Sequence, residues 1–293
     1  MFASDQVEAE VRRFFSLAQE GAQVRAVATW VRDGSLDSLA GFSPRALVIV
    51  AVDRLTRAAV DMVLSLNPAI PFPACVVDTV PSFIGPLDIV VIAGECLDIE
   101  RIQQAAERAV QVGAATVVIA AADLPLPDEV LRPEEIPFGA DYSVAKIAAT
   151  LAAVLSGPGE HTAVMVEQLA RELDDEIAAV HPERGIEINA ARQLAELYTR
   201  GPIAHAGMPP LTRLLAEQWL HSGWVSAVVP AQLSVDTAAA PDVAWTTIGW
   251  DGSAGRGIEQ TVDSDGASDL ARALRYYIRA AAAPVMEVEQ WTD

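Results

Sequence analysis

The sequence predicts an α/β protein: two tandem α/β/α sandwich domains, each with a small, mainly parallel sheet flanked by helices. Three observations lead there. Short Val- and Ile-rich runs alternate with segments of helical periodicity, the order expected of a parallel, doubly wound sheet. At 293 residues the chain is too long for one ordinary core and suits two. A Gly/Pro cluster, "SGPGE" at 156–160, interrupts the pattern near the middle and reads as a linker, so the domains are expected at 1–156 and 157–293.

In chain order, two amphipathic helical patterns at about 5–20 and 22–33 come first, the second closed by "RDGS". Four strand candidates follow: "RALVIVAV" (45–52), "ACVVD" (74–78), "DIVVIAG" (88–94) and "ATVVIAA" (115–121). Near-continuous apolar runs of this length mark strands buried on both faces. Helices are expected between them at 54–66 and 99–112. A Pro-rich passage (123–139) then leads into the helix "ADYSVAKIAATLAAVL". The second half repeats the theme. An acidic helix at about 162–179 precedes "GIEINAARQLAELYTRG", the strand "PIAHAG", the helix "PPLTRLLAEQWLHSG", an extended "VSAVVPA", the strand "DVAWTTIGW" and a closing helix "ASDLARALRYYIRAAAA".

Composition excludes several classes of function. A formal net charge of −20 repels a polyanion, so nucleic acid is not an expected partner. Lys146 is the only lysine, which leaves Schiff-base chemistry one candidate in an Ala-rich helix. The start, "MFASDQVEAEVRRFFSLAQ", mixes acids with apolar residues and lacks the apolar core of a secretory signal. The longest apolar stretches are shorter than the roughly 20 residues of a membrane span. The expected location is therefore the cytoplasm, with no membrane partner. Cys75 and Cys96 form no CxxC and have no histidine nearby, so neither zinc nor a redox pair is indicated, and no cofactor is implied.

Several phrases, in this order and spacing, resemble the tandem sugar isomerase (SIS) family, most closely the bifunctional phosphoglucose/phosphomannose isomerases. They are "VPSFIGPLDIVVIAG" running into a loop, "PFGADYS" before the middle helix, and "NAARQLAELYTRGPIAHAG" opening the second domain. The resemblance covers most of the chain. It implies a homodimer, a sugar-phosphate ligand and a place in carbohydrate metabolism, with a carbohydrate or sugar-nucleotide pathway enzyme as a further partner. The family's catalytic motifs, however, are altered. Its Gly-Gly-Ser turn after the first strand corresponds to "VAVDRLTR", which has no glycine, and its Ser-rich phosphate loop after the third strand corresponds to "AGECLDIE". The family's arginine falls near Phe138, its base glutamate near His221, and its ring-opening histidine within "PAQLSVD", where no histidine occurs.

Carboxylates where a phosphate loop had hydroxyls satisfy the helix's own N–H groups and add like charge. Two unit charges about 4 Å apart cost on the order of 4 kcal/mol at an effective dielectric near 20, enough to cancel millimolar affinity. The candidate ligand-binding residues are Arg54, Thr56 and Arg57 after the first strand and Glu95 and Asp98 after the third. Solvated or salt-bridged arginines, and helix capping by the acids together with Glu100, are the competing readings. Glu95, Asp98 and Glu100 also have the chemistry of a Mg²⁺ or Ca²⁺ ligand set, against which capping is the simpler account. His221 is the one candidate base, although a histidine at a helix end commonly caps the last carbonyls. "GWDGSAGRG" (249–257) matches neither a Walker loop nor a dinucleotide fingerprint. The expected function is that of a catalytically degenerate isomerase-like protein acting in sugar-phosphate binding, regulation or structure. The alternative is an active aldose–ketose isomerase on hexose 6-phosphates that uses displaced residues.

Overall fold

The computed structural model describes residues 10–11, 13–95, 99–120, 124–134, 136, 142–201, 203–230, 244–248, 258–260, 262 and 267–286. The chain divides into two compact units: residues 19–171, and residues 1–18 together with 172–293.

Unit 19–171 contains α1 (Glu20–Arg32), β1 (Ala46–Ala51), α2 (Arg54–Leu66), β2 (Ala74–Val77), β3 (Asp88–Ala93), α3 (Ile99–Gln111), β4 (Ala115–Ile119), α4 (Val144–Ser156) and the first part of α5 (Glu160–Ala179). Gly157 and Gly159, in the cluster read as a linker, adopt φ of 80° and 119° between α4 and α5, a region open to glycine because it has no Cβ. The strands pair in parallel in the order β2-β1-β3-β4. This is the α/β architecture expected from the apolar runs: β3 is buried along its whole length and β1 from Leu47 onward.

Alternation along the strands sorts their side chains to two faces. Val48, Val50, Val52, Val90, Ile92 and Val118 form one core with Ile102, Ala105, Ala106 and Ala109 of α3. The opposite face is covered by α2, and α4 packs between α1 and α2. Helix α4 is buried at every position from Val144 to Val154, and its Ala-rich, near-uniformly apolar sequence is what such a site requires. At the other end of the strands, the Arg45 guanidinium donates to both oxygens of the buried Asp88 (3.1 and 2.5 Å), fixing the β1/β3 register.

The second unit contains the remainder of α5, α6 (Ala190–Thr199), β5 (Ile203–Gly207), α7 (Pro209–His221), β6 (Ser226–Pro230), β7 (Ala244–Ile248), β8 (Ile258–Gln260) and α8 (Asp269–Ala282). Its strands are again parallel, in the order β6-β5-β7-β8. The two sheets therefore share one permutation of strand order. The core of this unit is aromatic. Trp219 is fully buried, meets His205 and Tyr198 edge-on, and donates from Nε1 to Ala280 O at 2.8 Å. Tyr198 stacks on Trp224 at 3.9 Å. Glu176 on α5 is buried and accepts from Arg275 (2.9 Å) and Arg279 (2.5 Å) of α8. Among the described residues, no helix is long and apolar enough to cross a membrane.

Candidate functional site

In a parallel sheet ordered β2-β1-β3-β4, the chain leaves β1 toward one edge and β3 toward the other. The C-terminal ends of β1 and β3 therefore flank the crevice where open α/β sheets place their ligands. The backbone N–H groups facing that crevice come from the first turn of α2 and from the loop after β3, and such unpaired donors are suited to an anion.

A side chain of the protein itself takes up these donors. Asp53, the N-cap of α2, accepts from Thr56 N at 2.7 Å through Oδ1, and from the Thr56 hydroxyl at 2.6 Å through Oδ2. Its Oδ2 also accepts the backbone N–H of Glu95 at 3.1 Å, across the crevice. One carboxylate thus bridges the ends of β1 and β3. The close approach depends on Gly94: a Cβ there would lie 2.0 Å from Val52 Cγ2 and 3.1 Å from Asp53 Oδ2. Arg101, in the first turn of α3, adds a third tie by donating from Nη1 to Val52 O at 2.8 Å.

Behind Thr56 the polar network continues. The Thr56 hydroxyl lies 3.0 Å from the Tyr142 hydroxyl. Burial first, and then the Asp53 carboxylate, push the Tyr142 phenol well above its ordinary value, so it stays protonated at all physiological pH. The adjacent Ser143 caps α4 by accepting from Lys146 N (3.0 Å) and donates its own hydroxyl to Glu20 Oε2 (2.6 Å). Glu20 also accepts from Ala145 N at 3.1 Å. Its complete burial raises its pKa to about 7, against the opposing effect of those two bonds.

The residues singled out in the sequence are distributed as follows. Thr56 and the Glu95 backbone converge on Asp53. Arg57 turns away and donates from Nη2 to Asp78 Oδ1 at 2.6 Å. Arg54 occupies the exposed first position of α2. Asp98, Cys96 and Phe138 lie outside the described residues, as does the "GWDGSAGRG" loop. His221 is the exposed last residue of α7, in the other unit. Sequence reasoning missed Asp53. The available signal was the spacing Asp53-x-x-Thr56 directly after an apolar strand, which is an N-cap followed three residues later by a side chain able to bond back to it.

No protein-family model matches the chain, and no curated protein matches it either. Solved structures do match. Tagatose-6-phosphate ketose/aldose isomerase from Escherichia coli superposes with a TM-score of 0.66 at 12% identity, over 96% of this chain and 92% of that one. A candidate phosphosugar isomerase from Silicibacter pomeroyi gives 0.67 at 10% identity over 94% and 96%. The C-terminal domain of glucosamine-fructose-6-phosphate aminotransferase from Francisella tularensis gives 0.59 at 9% over 92% and 93%. At these identities the likeness concerns the fold, and the fold is the sugar isomerase arrangement that the sequence led us to expect.

Proposed function

We propose that this chain is an SIS protein of the phosphoglucose/phosphomannose isomerase type whose isomerase site has degenerated, and that it now has a regulatory or structural role in carbohydrate metabolism. The observation that carries this reading is the Asp53 carboxylate, which accepts from Thr56 N, the Thr56 hydroxyl and Glu95 N in the crevice between β1 and β3. A ligand phosphate at that point would have to displace a tethered anion from its donors and lie against its charge. The solved structures of similar fold include proteins named for tagatose 6-phosphate and for glucosamine–fructose 6-phosphate chemistry, and this supports an ancestry among enzymes of hexose phosphates. Within this reading the protein is a cytoplasmic homodimer with domains at 1–156 and 157–293, and its partner is a carbohydrate or sugar-nucleotide pathway enzyme. These features follow from the resemblance and the sequence alone.

Carbon-labelled fructose 6-phosphate, followed by NMR with the purified protein, tests the proposal. The expected outcome is no glucose or mannose 6-phosphate after prolonged incubation, and no shift of the Thr56 and Glu95 amides. Asp53→Ser should let both amides respond to inorganic phosphate while turnover stays absent. Conversion of fructose 6-phosphate by the wild-type protein would overturn the reading and return attention to His221.

A further inference from the structure

The outer edges of the two sheets are guarded unequally. A strand at the edge of a sheet turns the N–H and C=O groups of alternate residues outward, where they form a template for another strand. The β4 edge is occupied: Leu131 accepts from Val118 N and donates its own N–H to Thr116 O, both at 2.9 Å. Strands β2 and β8 are only four and three residues long. Strand β6 is different. It runs for five residues in unbroken parallel register with β5, and among the described residues no strand pairs with its other side.

The devices that usually blunt an edge are missing from β6. No charged side chain occurs from Ser222 to Val235, in a chain where charged residues make up 20%. The one proline of the strand, Pro230, is its last residue. Val225 is 68% exposed and Val228 41%, and Ala227 between them is exposed as well. The strand is also fixed in place. Val225 N donates to the Tyr198 hydroxyl at 3.2 Å, Tyr198 stacks on Trp224, and the turn from α7 is closed by Trp224 N donating to Trp219 O at 2.7 Å. An apolar strand held in this way loses little freedom when another strand pairs with it.

The stretch from Val225 to Val229 is complementary to itself. Antiparallel pairing about a two-fold axis through Ala227 sets Val225 against the partner's Val229 and Ser226 against the partner's Val228, with Ala227 facing its own equivalent. Cross-strand pairs of β-branched residues are favourable, and no like charges are brought together. A centre nearer the end of the strand would draw Pro230, which has no N–H, into the ladder, and one nearer its start would run past Val225, whose N–H is committed to Tyr198. Charge selects the occupant. Each copy carries a net −20, so a second copy is repelled over most of its surface and approaches where charge is absent, whereas a cationic partner would be drawn to the acidic faces instead.

We propose that β6 pairs antiparallel with the β6 of a second copy, joining two four-stranded sheets into one of eight strands. This interface deepens the homodimer of the reading above and stands apart from the isomerase ancestry and from the β1/β3 crevice. Sedimentation equilibrium of the full-length protein tests it. A concentration-dependent dimer is expected, and it should tighten when salt is raised from about 0.05 to about 0.5 M, since screening weakens the repulsion between acidic copies. Over the same concentrations of wild-type protein, amide exchange along Ser226–Val229 should slow as the dimer forms.

Ala227→Lys and Ala227→Glu each set like charges against each other at the axis, from a position that is exposed in the single chain. Each should weaken dimerisation by roughly 10-fold or more. An equimolar mixture of the two should recover the affinity as a heterodimer, because opposite charges then meet, and tryptophan fluorescence melts check that both variants fold as the wild type does. A protein that stays monomeric at every concentration would overturn this proposal together with the homodimer of the reading above. A dimer whose affinity is unchanged in both variants, or whose β6 amides exchange equally fast in monomer and dimer, would overturn this proposal alone and place the interface on another surface.

Discussion

His205 makes unit 1–18/172–293 sensitive to acid, and the size of the effect can be worked out from its surroundings. The ring is fully buried on β5, its Nδ1 lies 2.9 Å from the hydroxyl of Thr246 on β7, and its centroid sits 4.5 Å from that of Trp219. Its Nε2 has no hydrogen-bond partner among the described residues. Burial lowers the pKa from its ordinary 6.5 to about 3, so the folded unit keeps the ring neutral where the unfolded chain already protonates it. The unfolded state therefore binds more protons between these values. Stability is complete above pH 6.5 and is lost as the pH falls toward 3. Linkage gives a loss of about 2 kcal/mol between pH 8 and pH 5, and about 4 kcal/mol by pH 3. Five of the six tryptophans lie in this unit, so their fluorescence reports its unfolding. Urea melts at pH 8 and pH 5 should differ more for the wild type than for His205→Gln, whose amide can still bond Thr246 but does not titrate. The excess should be about 2 kcal/mol, or about 1 M in midpoint for a typical urea dependence. Identical pH profiles for the two proteins would refute the reasoning.

Glu20 acts in the opposite direction in unit 19–171. Its pKa, raised from 4.5 to about 7, means that the folded state holds the proton, so the stabilisation is complete below 4.5 and is lost as pH rises through 7. Glu20→Gln, which keeps an acceptor for Ser143 and Ala145, should stabilise that unit at pH 8 by on the order of 3 kcal/mol in chemical denaturation, with no gain at pH 4. Gly94→Ala drives a methyl into Val52 and should cost about 3 kcal/mol in the same melt. Glu176→Ala leaves Arg275 and Arg279, each less than one-fifth exposed, without their shared carboxylate. It should lower the stability of the other unit by about 3 to 5 kcal/mol, readable by tryptophan fluorescence.

The strands were legible because a buried parallel strand has few ways to be written. "RALVIVAV" and "DIVVIAG" contain β1 and β3 with at most one residue to spare at either end, and the helix expected at 54–66 is α2 itself. The middle helix starts at Val144, later than "ADYSVAKIAATLAAVL" suggests, because the Ser143 side chain caps it by accepting from Lys146 N. Strand β8, three residues beside β7, has too little apolar pattern to stand out. The site was less legible than the fold. The sequence draws attention to the acids after β3, while the carboxylate that bridges the ends of β1 and β3 is that of Asp53, at the start of α2. The Glu95 amide and the Thr56 hydroxyl meet only because β1 and β3 are neighbours in the sheet, and periodicity in sequence carries no information about that pairing.

A single residue can close such a crevice because it competes on unequal terms. Asp53 reaches Thr56 N and Glu95 N without any loss of translational freedom, whereas a free phosphate must give up that freedom and also overcome the repulsion of the tethered charge. At about 4 Å and an effective dielectric near 20 that repulsion is on the order of 4 kcal/mol, equal to the whole binding free energy of a millimolar ligand. Removing the carboxylate therefore frees donors without adding a base. Isomerisation also needs a base at the sugar carbons, and the Glu20 carboxyl in the network behind Thr56 and Tyr142 is already engaged by Ser143 and Ala145. Asp53→Ser should consequently separate two properties that coincide in a working isomerase: phosphate affinity should appear at Thr56 and Glu95, and proton exchange at C2 of fructose 6-phosphate should stay at the level of the uncatalysed reaction. Exchange above that level would identify a latent enzyme held off by its own aspartate.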